Sequence, residues 1–176
     1  TNVRDTGGLL EDILPVVEKL RAPEAVAPAI WFAGPLLDGG DVVYDGINLP
    51  GLGVANATPE EARANITSIH EAGASFLKIY EMVTPEVFEA IVDEAPKVGV
   101  TVQVHAVSTQ AMVAAVNAGV RRLVHIPNKN FVDHDAVQLL ADTNTVSLAT
   151  IGFGAPVFGV FTEANEPRFR DGKAWP

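Results

Sequence analysis

The feature that most constrains this chain is a regular alternation of short apolar or β-branched runs with amphipathic helical stretches. Residues 27–32, 75–80 (SFLKIY), 100–106 (VTVQVHA), 122–126 (RLVHI) and 145–151 (TVSLATI) read as strands, with a stub of another at 1–3. Between them, residues 9–20 place Leu10, Ile13, Leu14, Val17 and Leu20 at helical spacing. Helices are also predicted over 58–72, 87–98, 109–117 and 133–141. Two of them start with the same device, Thr58-Pro59-Glu60-Glu61 and Thr84-Pro85-Glu86. In each, Thr caps, Pro takes the first helical position, and Glu meets the positive helix end. Gly73 and Gly119 stop the helices that precede them. Residues 39–56, rich in Gly, Asp and Asn, read as one long irregular loop. Over 152–176 the pattern is lost.

A βα repeat of ~20 to 30 residues implies right-handed crossovers and a parallel sheet. On the residues alone, a doubly wound sheet and a (β/α)8 barrel both fit. About six strands are present, where a closed barrel needs eight over about 250 residues. No glycine-rich phosphate loop follows a strand, which weakens the nucleotide-binding alternative. The reading is one domain over 1–176, with βα repeats to 151 and a long loop or lid over 152–176. Its 176 residues, 48% hydrophobic and 19% charged, can bury a core. A net charge of -10 argues against nucleic acid as a partner. No apolar run reaches the ~18 residues of a membrane span. With no cysteine, disulfides and thiolate chemistry are excluded, and the compartment stays open. No Met leads, so the chain reads as a piece of a longer one.

Three polar residues sit at or near the C-terminal ends of successive strands: Lys78 in FLKIY, His105 in VQVHA and His125 in RLVHI. In a parallel barrel those ends share one active-site face, so the three groups converge as a metal site requires. Taken singly, each has a bland alternative. A histidine in an apolar strand is usually a satisfied core residue, and a strand lysine usually reaches solvent. A lysine buried between apolar neighbours is costly, and its recurrence with two histidines favours a shared site. Tyr80 lies two residues beyond Lys78, faces the same way, and is a candidate substrate-binding residue. His70 beside Glu71 reads as a solvated helix face, and His134 as part of a helix start capped by Asp133. Arg4 and Asp5 read as a structural ion pair. Asn128 and Lys129 read as a loop, and residues 153–161 (FGAPVFGVF) as a lid, pocket wall or docking surface.

The stretch GASFLKIYEMVTPEVFEAIVDEAPKVGVTVQVHAVSTQAMVAAVNAGVRRLVHIP resembles the amidohydrolase superfamily, in its imidazolonepropionase-like and Xaa-Pro dipeptidase-like branch. NVRDTGG, AGPLLDGG and the TPEEAR helix start resemble that branch too, so the resemblance runs from residue 1 to about 151. It implies a partial (β/α)8 barrel of about strands two to seven. It implies that Lys78 is the fourth-strand lysine, carboxylated in binuclear members to bridge two divalent metals. His105 and His125 would then be the fifth- and sixth-strand ligands. The implied activity is hydrolysis of an amide, peptide or cyclic amide C–N bond by a metal-activated water, with a small-molecule amide or peptide as substrate. Zinc is the implied metal, as one or two ions, with manganese and iron compatible with the ligand types.

The family's first-strand His-x-His occurs nowhere in this sequence, and its eighth-strand Asp has no counterpart; Asp171, in RDGKAWP, is not given that role. The expectation is that the rest of the barrel comes from residues outside this sequence or from another chain, with a homo-oligomer left open. Two further readings compete. Lys78 could form a Schiff base in a barrel lyase or aldolase. Alternatively, the segment could be an inactive fragment or binding module.

Overall fold

The computed structural model describes residues 1–127 and 132–150. The chain runs β1 (Asn2–Asp5), α1 (Leu10–Arg21), β2 (Ala29–Phe32), β3 (Leu36–Leu37), a 3-10 turn (Asp45–Ile47), β4 (Gly53–Val54), α2 (Pro59–Glu71) and β5 (Phe76–Ile79). It continues with α3 (Pro85–Lys97), β6 (Thr101–His105), α4 (Thr109–Asn117), β7 (Arg122–Val124), α5 (His134–Asp142) and β8 (Val146–Leu148). The expected strands and helices are all present, with ends shifted by one to three residues. The expectation of one irregular loop over 39–56 was wrong in part. The short strand β4 pairs with β3 there, and a 3-10 turn precedes it. A two-residue strand is too short to show an alternating pattern, so no periodic signal marks it.

Every strand pairing is parallel. β1 pairs with β2, and a six-stranded sheet follows the order β4-β3-β5-β6-β7-β8. β2 and β3 are two halves of one strand path, broken at Ala33-Gly34-Pro35, where Gly34 has φ +73°. The first half takes β1 as neighbour. At its end the Ser75 N–H donates to the Phe32 carbonyl at 2.8 Å, which brings β5 alongside. The second half pairs with β5 through Leu37 and Ile79. Spatial order therefore follows chain order from β1 through β2/β3, β5, β6 and β7 to β8. A doubly wound sheet reverses its order at a switch point; among the described strands only the two-residue β4 leaves chain order, lying on the side of β3 away from β5. The architecture is an open arc of a (β/α)8 barrel, in the succession expected of strands two to seven.

Period two divides each strand between two faces. Leu77, Ile79, Val104 and Leu123 are buried against Ile66, Ile91, Met112 and Val116 of the helices. The opposite face, which lines the inside of the arc, carries Phe76, Lys78, Gln103 and His105. Helix starts follow the sequence signals. The Thr58 hydroxyl accepts from the Glu61 N–H at 3.2 Å, and the Glu61 carboxylate accepts from the Ala57 N–H at 2.7 Å. Two donors at the helix start are thus satisfied together. Thr58→Ala is expected to lower stability by about 1 kcal/mol, with Thr58→Ser near wild type, as measured by urea denaturation.

Arg4 and Asp5 do not form the expected ion pair. Adjacent strand residues point to opposite faces. The Arg4 guanidinium lies over the Phe76 ring, 4.1 Å from its centroid, and the Asp5 carboxylate accepts from the Gly7 N–H at 3.1 Å.

Candidate active site

β5 is buried along its whole length. Lys78 is consequently only 3% exposed, and its Nζ has no hydrogen-bond partner among the described residues. Burial pushes its ammonium down to about 7, so the amine is largely neutral just above neutral pH. Lys78 stands in register with Gln103 of β6. Gln103 is fully buried, and neither atom of its carboxamide has a partner among the described residues.

His105 ends β6 and is mostly buried. Its Nε2 lies 3.0 Å from the Glu81 carboxylate, just past β5. The rings of His105 and His125 meet edge to face, with centroids 4.4 Å apart, and Tyr80 meets His105 in the same manner at 4.7 Å. Tyr80 donates its hydroxyl to Tyr44 Oη at 3.4 Å. Burial, then that contact, pushes the Tyr80 phenol well above its ordinary value, so it acts as a neutral hydroxyl.

His125 lies one residue beyond β7 in a left-handed conformation, φ 77°. Such a conformation is strained for a residue with a Cβ and is often held at functional sites. Here its N–H donates to the Leu148 carbonyl at 2.8 Å, and Ser147 Oγ donates to its carbonyl at 2.9 Å. Its Nδ1 is hydrogen-bonded with Thr150 Oγ1. Burial, then the charge of Lys78, lowers the basicity of the imidazole, and Glu81 opposes them. The neutral ring is the form that binds metal.

Asp38 supports this cluster through the segment after β5. At the end of β3 it is fully buried, and its carboxylate accepts from the N–H groups of Gly39, Val43 and Met82 at 3.0, 2.9 and 2.8 Å. That ties the segment after β3 to the segment carrying Tyr80 and Glu81. The approach is close: a Cβ on Gly39 would stand 1.8 Å from the Met82 carbonyl oxygen. Between α3 and α4 a cavity of about 340 Å³ reaches His105 and Glu81 past Phe88, Val104 and Ala111.

Lys78, His105, His125 and Tyr80 are therefore brought together. His70 and His134 are exposed on α2 and α5, away from the cluster, and Asp133 caps α5 by accepting from the Ala136 N–H at 2.8 Å. Asn128, Lys129, residues 153–161 and Asp171 lie outside the described residues. The sequence reading missed Glu81, Gln103 and Asp38. Position two before His105 on the same strand face would have pointed to Gln103, and the C-terminal strand end would have pointed to Glu81.

Two imidazoles in ring contact beside an unpartnered buried amine fit part of a divalent ion's ligand set. Among the described residues, no three His, Cys, Asp or Glu side chains are grouped to hold a metal. The residues present thus fit a site completed by further ligands.

No family model and no curated protein matches the chain. Solved structures do. A Xaa-Pro dipeptidase with bound methionine in its active site shares 23% identity at a TM-score of 0.76, over 94% of this chain and 46% of its own. The ochratoxinase of A. niger gives 21% and 0.72, over 94% and 43%. Molinate hydrolase gives 19% and 0.70, over 84% and 40%. An amidohydrolase matches at 22% and 0.66. The chain shares the barrel fold of these solved structures. It spans less than half the length of those solved chains.

Proposed function

We propose that the protein containing this chain is a metal-dependent hydrolase that cleaves an amide, peptide or cyclic amide C–N bond, with Lys78, His105 and His125 among its metal ligands. The observation that carries the reading is the buried, unpartnered Lys78 amine on the face it shares with the paired imidazoles. An amine held near neutrality has a lone pair free to add to CO2. The N–C bond forms, one C=O π pair moves onto oxygen, and a proton leaves to solvent. A buried cation becomes an anionic oxygen ligand. A bound divalent ion, zinc in this reading, supplies an activated water and a Lewis acid for the scissile carbonyl. Glu81 holds the His105 ring in place, as outer partners of ligating histidines do. Tyr80, anchored by Tyr44, offers a neutral hydroxyl to substrate. The remaining ligands would come from the rest of the barrel or from another chain.

Metal analysis of the purified intact protein is expected to find one or two divalent ions per chain. Chelation should abolish hydrolysis of a dipeptide or N-acyl amino acid panel, and zinc or manganese should restore it. Full activity in metal-free protein would overturn the reading. The neutral lysine also suits a Schiff base. Borohydride trapping with carbonyl substrates separates the two readings, and no adduct at Lys78 is expected.

A further inference from the structure

The interior of the arc contains a second polar group that the proposed chemistry has not used. Gln103 is fully buried on the face it shares with His105, and its register partner on the neighbouring strand is Lys78. Both atoms of its carboxamide, and the Lys78 Nζ, lack hydrogen-bond partners among the described residues. Three polar atoms at one level of a buried face that no described residue partners are costly to bury. Apolar side chains would fill the same volume without that cost. A carboxamide is retained to advantage only if something at that level uses it.

A carboxylated lysine presents one N–H donor beside anionic oxygens. The Gln103 side chain presents one NH2 donor and one carbonyl acceptor. The two sets are complementary. A carboxylate side chain at this position would repel such an anion, and a lysine or arginine would compete with the metal for it. The neutral amide does neither.

We infer that Gln103 is a positioning residue for Lys78: its Nε2–H donates to the oxygen anion carried by carboxylated Lys78, and its Oε1 accepts from the lysine-derived N–H. This rests on the reading of Lys78 given above. The consequence is that Gln103 favours the carboxylated over the free lysine and orients its oxygens before any metal arrives.

The test uses the intact protein prepared metal-free in 13C-bicarbonate. Carboxylation at Lys78 is read by 13C NMR, zinc affinity by chelator competition, and folding by thermal denaturation. Gln103→Met keeps the volume and removes both hydrogen-bonding groups. It is expected to cut carboxylation clearly and weaken zinc about 10- to 100-fold, the range seen for outer partners of metal ligands. The metal-free Tm should hold or rise, because the unmet polar atoms are gone. Gln103→Glu, which keeps the size and adds an anion, should lower carboxylation further. The inference is overturned if either variant carboxylates like wild type, or if Gln103→Met binds zinc within about twofold of it. It is also overturned if the metal-free Tm of Gln103→Met falls sharply, because the carboxamide would then be serving the fold. A wild-type protein that shows neither carboxylation nor zinc would overturn the underlying function reading and this inference with it. That failure appears in the wild type, whereas failure of the Gln103 role alone appears only in the variants.

Discussion

Replacing Lys78 with methionine is expected to remove hydrolysis, by about 1000-fold or more, while making the metal-free protein more stable. The first effect follows from the metal's share of transition-state stabilisation, several kcal/mol, at about 1.4 kcal/mol per decade of rate. The second follows from burial. The lysine side chain is 3% exposed with its nitrogen unpartnered, whereas a methionine fills a similar space without charge. The same burial sets a pH dependence. The folded-state value is about 7 against an ordinary 10.5. Between those values the unfolded chain holds a proton on Lys78 that the folded chain does not. Stability therefore rises with pH across about 7 to 10.5, and below about 7 the full penalty for a buried cation is present. At about 1.4 kcal/mol per unit the total is on the order of 5 kcal/mol. Urea denaturation of metal-free protein in CO2-free buffer, at pH 6 and pH 10, should show this rise in wild type. In Lys78→Met it should be absent, leaving only the titration of other groups. A wild-type curve as flat as the variant's would mean that the amine is solvated.

Asp38→Ala is expected to be the most destabilising single change in the described part of the chain outside the apolar core, at about 3 kcal/mol or more. The carboxylate accepts from three backbone N–H groups and is fully buried. Each donor left unmet costs about 1–3 kcal/mol. The damage extends to the site, because Met82 follows Glu81 and is held by that carboxylate. Urea denaturation together with zinc affinity measures both parts. Asp38→Asn should fall between, since one of its two head atoms becomes a donor facing backbone donors. A variant as stable as wild type would show that water replaces the carboxylate.

Much of this was legible from the residues because each strand carries its own local signal. The β-branched run of VTVQVHA and the Thr-Pro-Glu starts locate their elements without any knowledge of neighbours. The Lys78, His105 and His125 cluster was legible for a related reason: three strand ends in a parallel arc share a face by construction. What escaped needed contacts between distant segments. Asp38 looks like an ordinary turn residue in LLDGG until Met82, far along the chain, donates to it. By sequence Arg4 pairs with its neighbour Asp5, and only the fold brings Phe76 beneath it. Gln103 could have been placed on the inner face by counting twos, but its lack of partners is a property of the packed interior.

Apart from the two-residue β4, spatial order along the arc follows chain order from β1 to β8, and that has a kinetic consequence. Contacting strands are close in sequence, so each new βα unit closes only a short loop on the unit before it, at modest entropic cost. Assembly can proceed by stepwise addition, without waiting for a remote segment to diffuse back. Lys78, His105 and His125 fall in three consecutive units. These three residues of the proposed site can therefore come together early, as a local event.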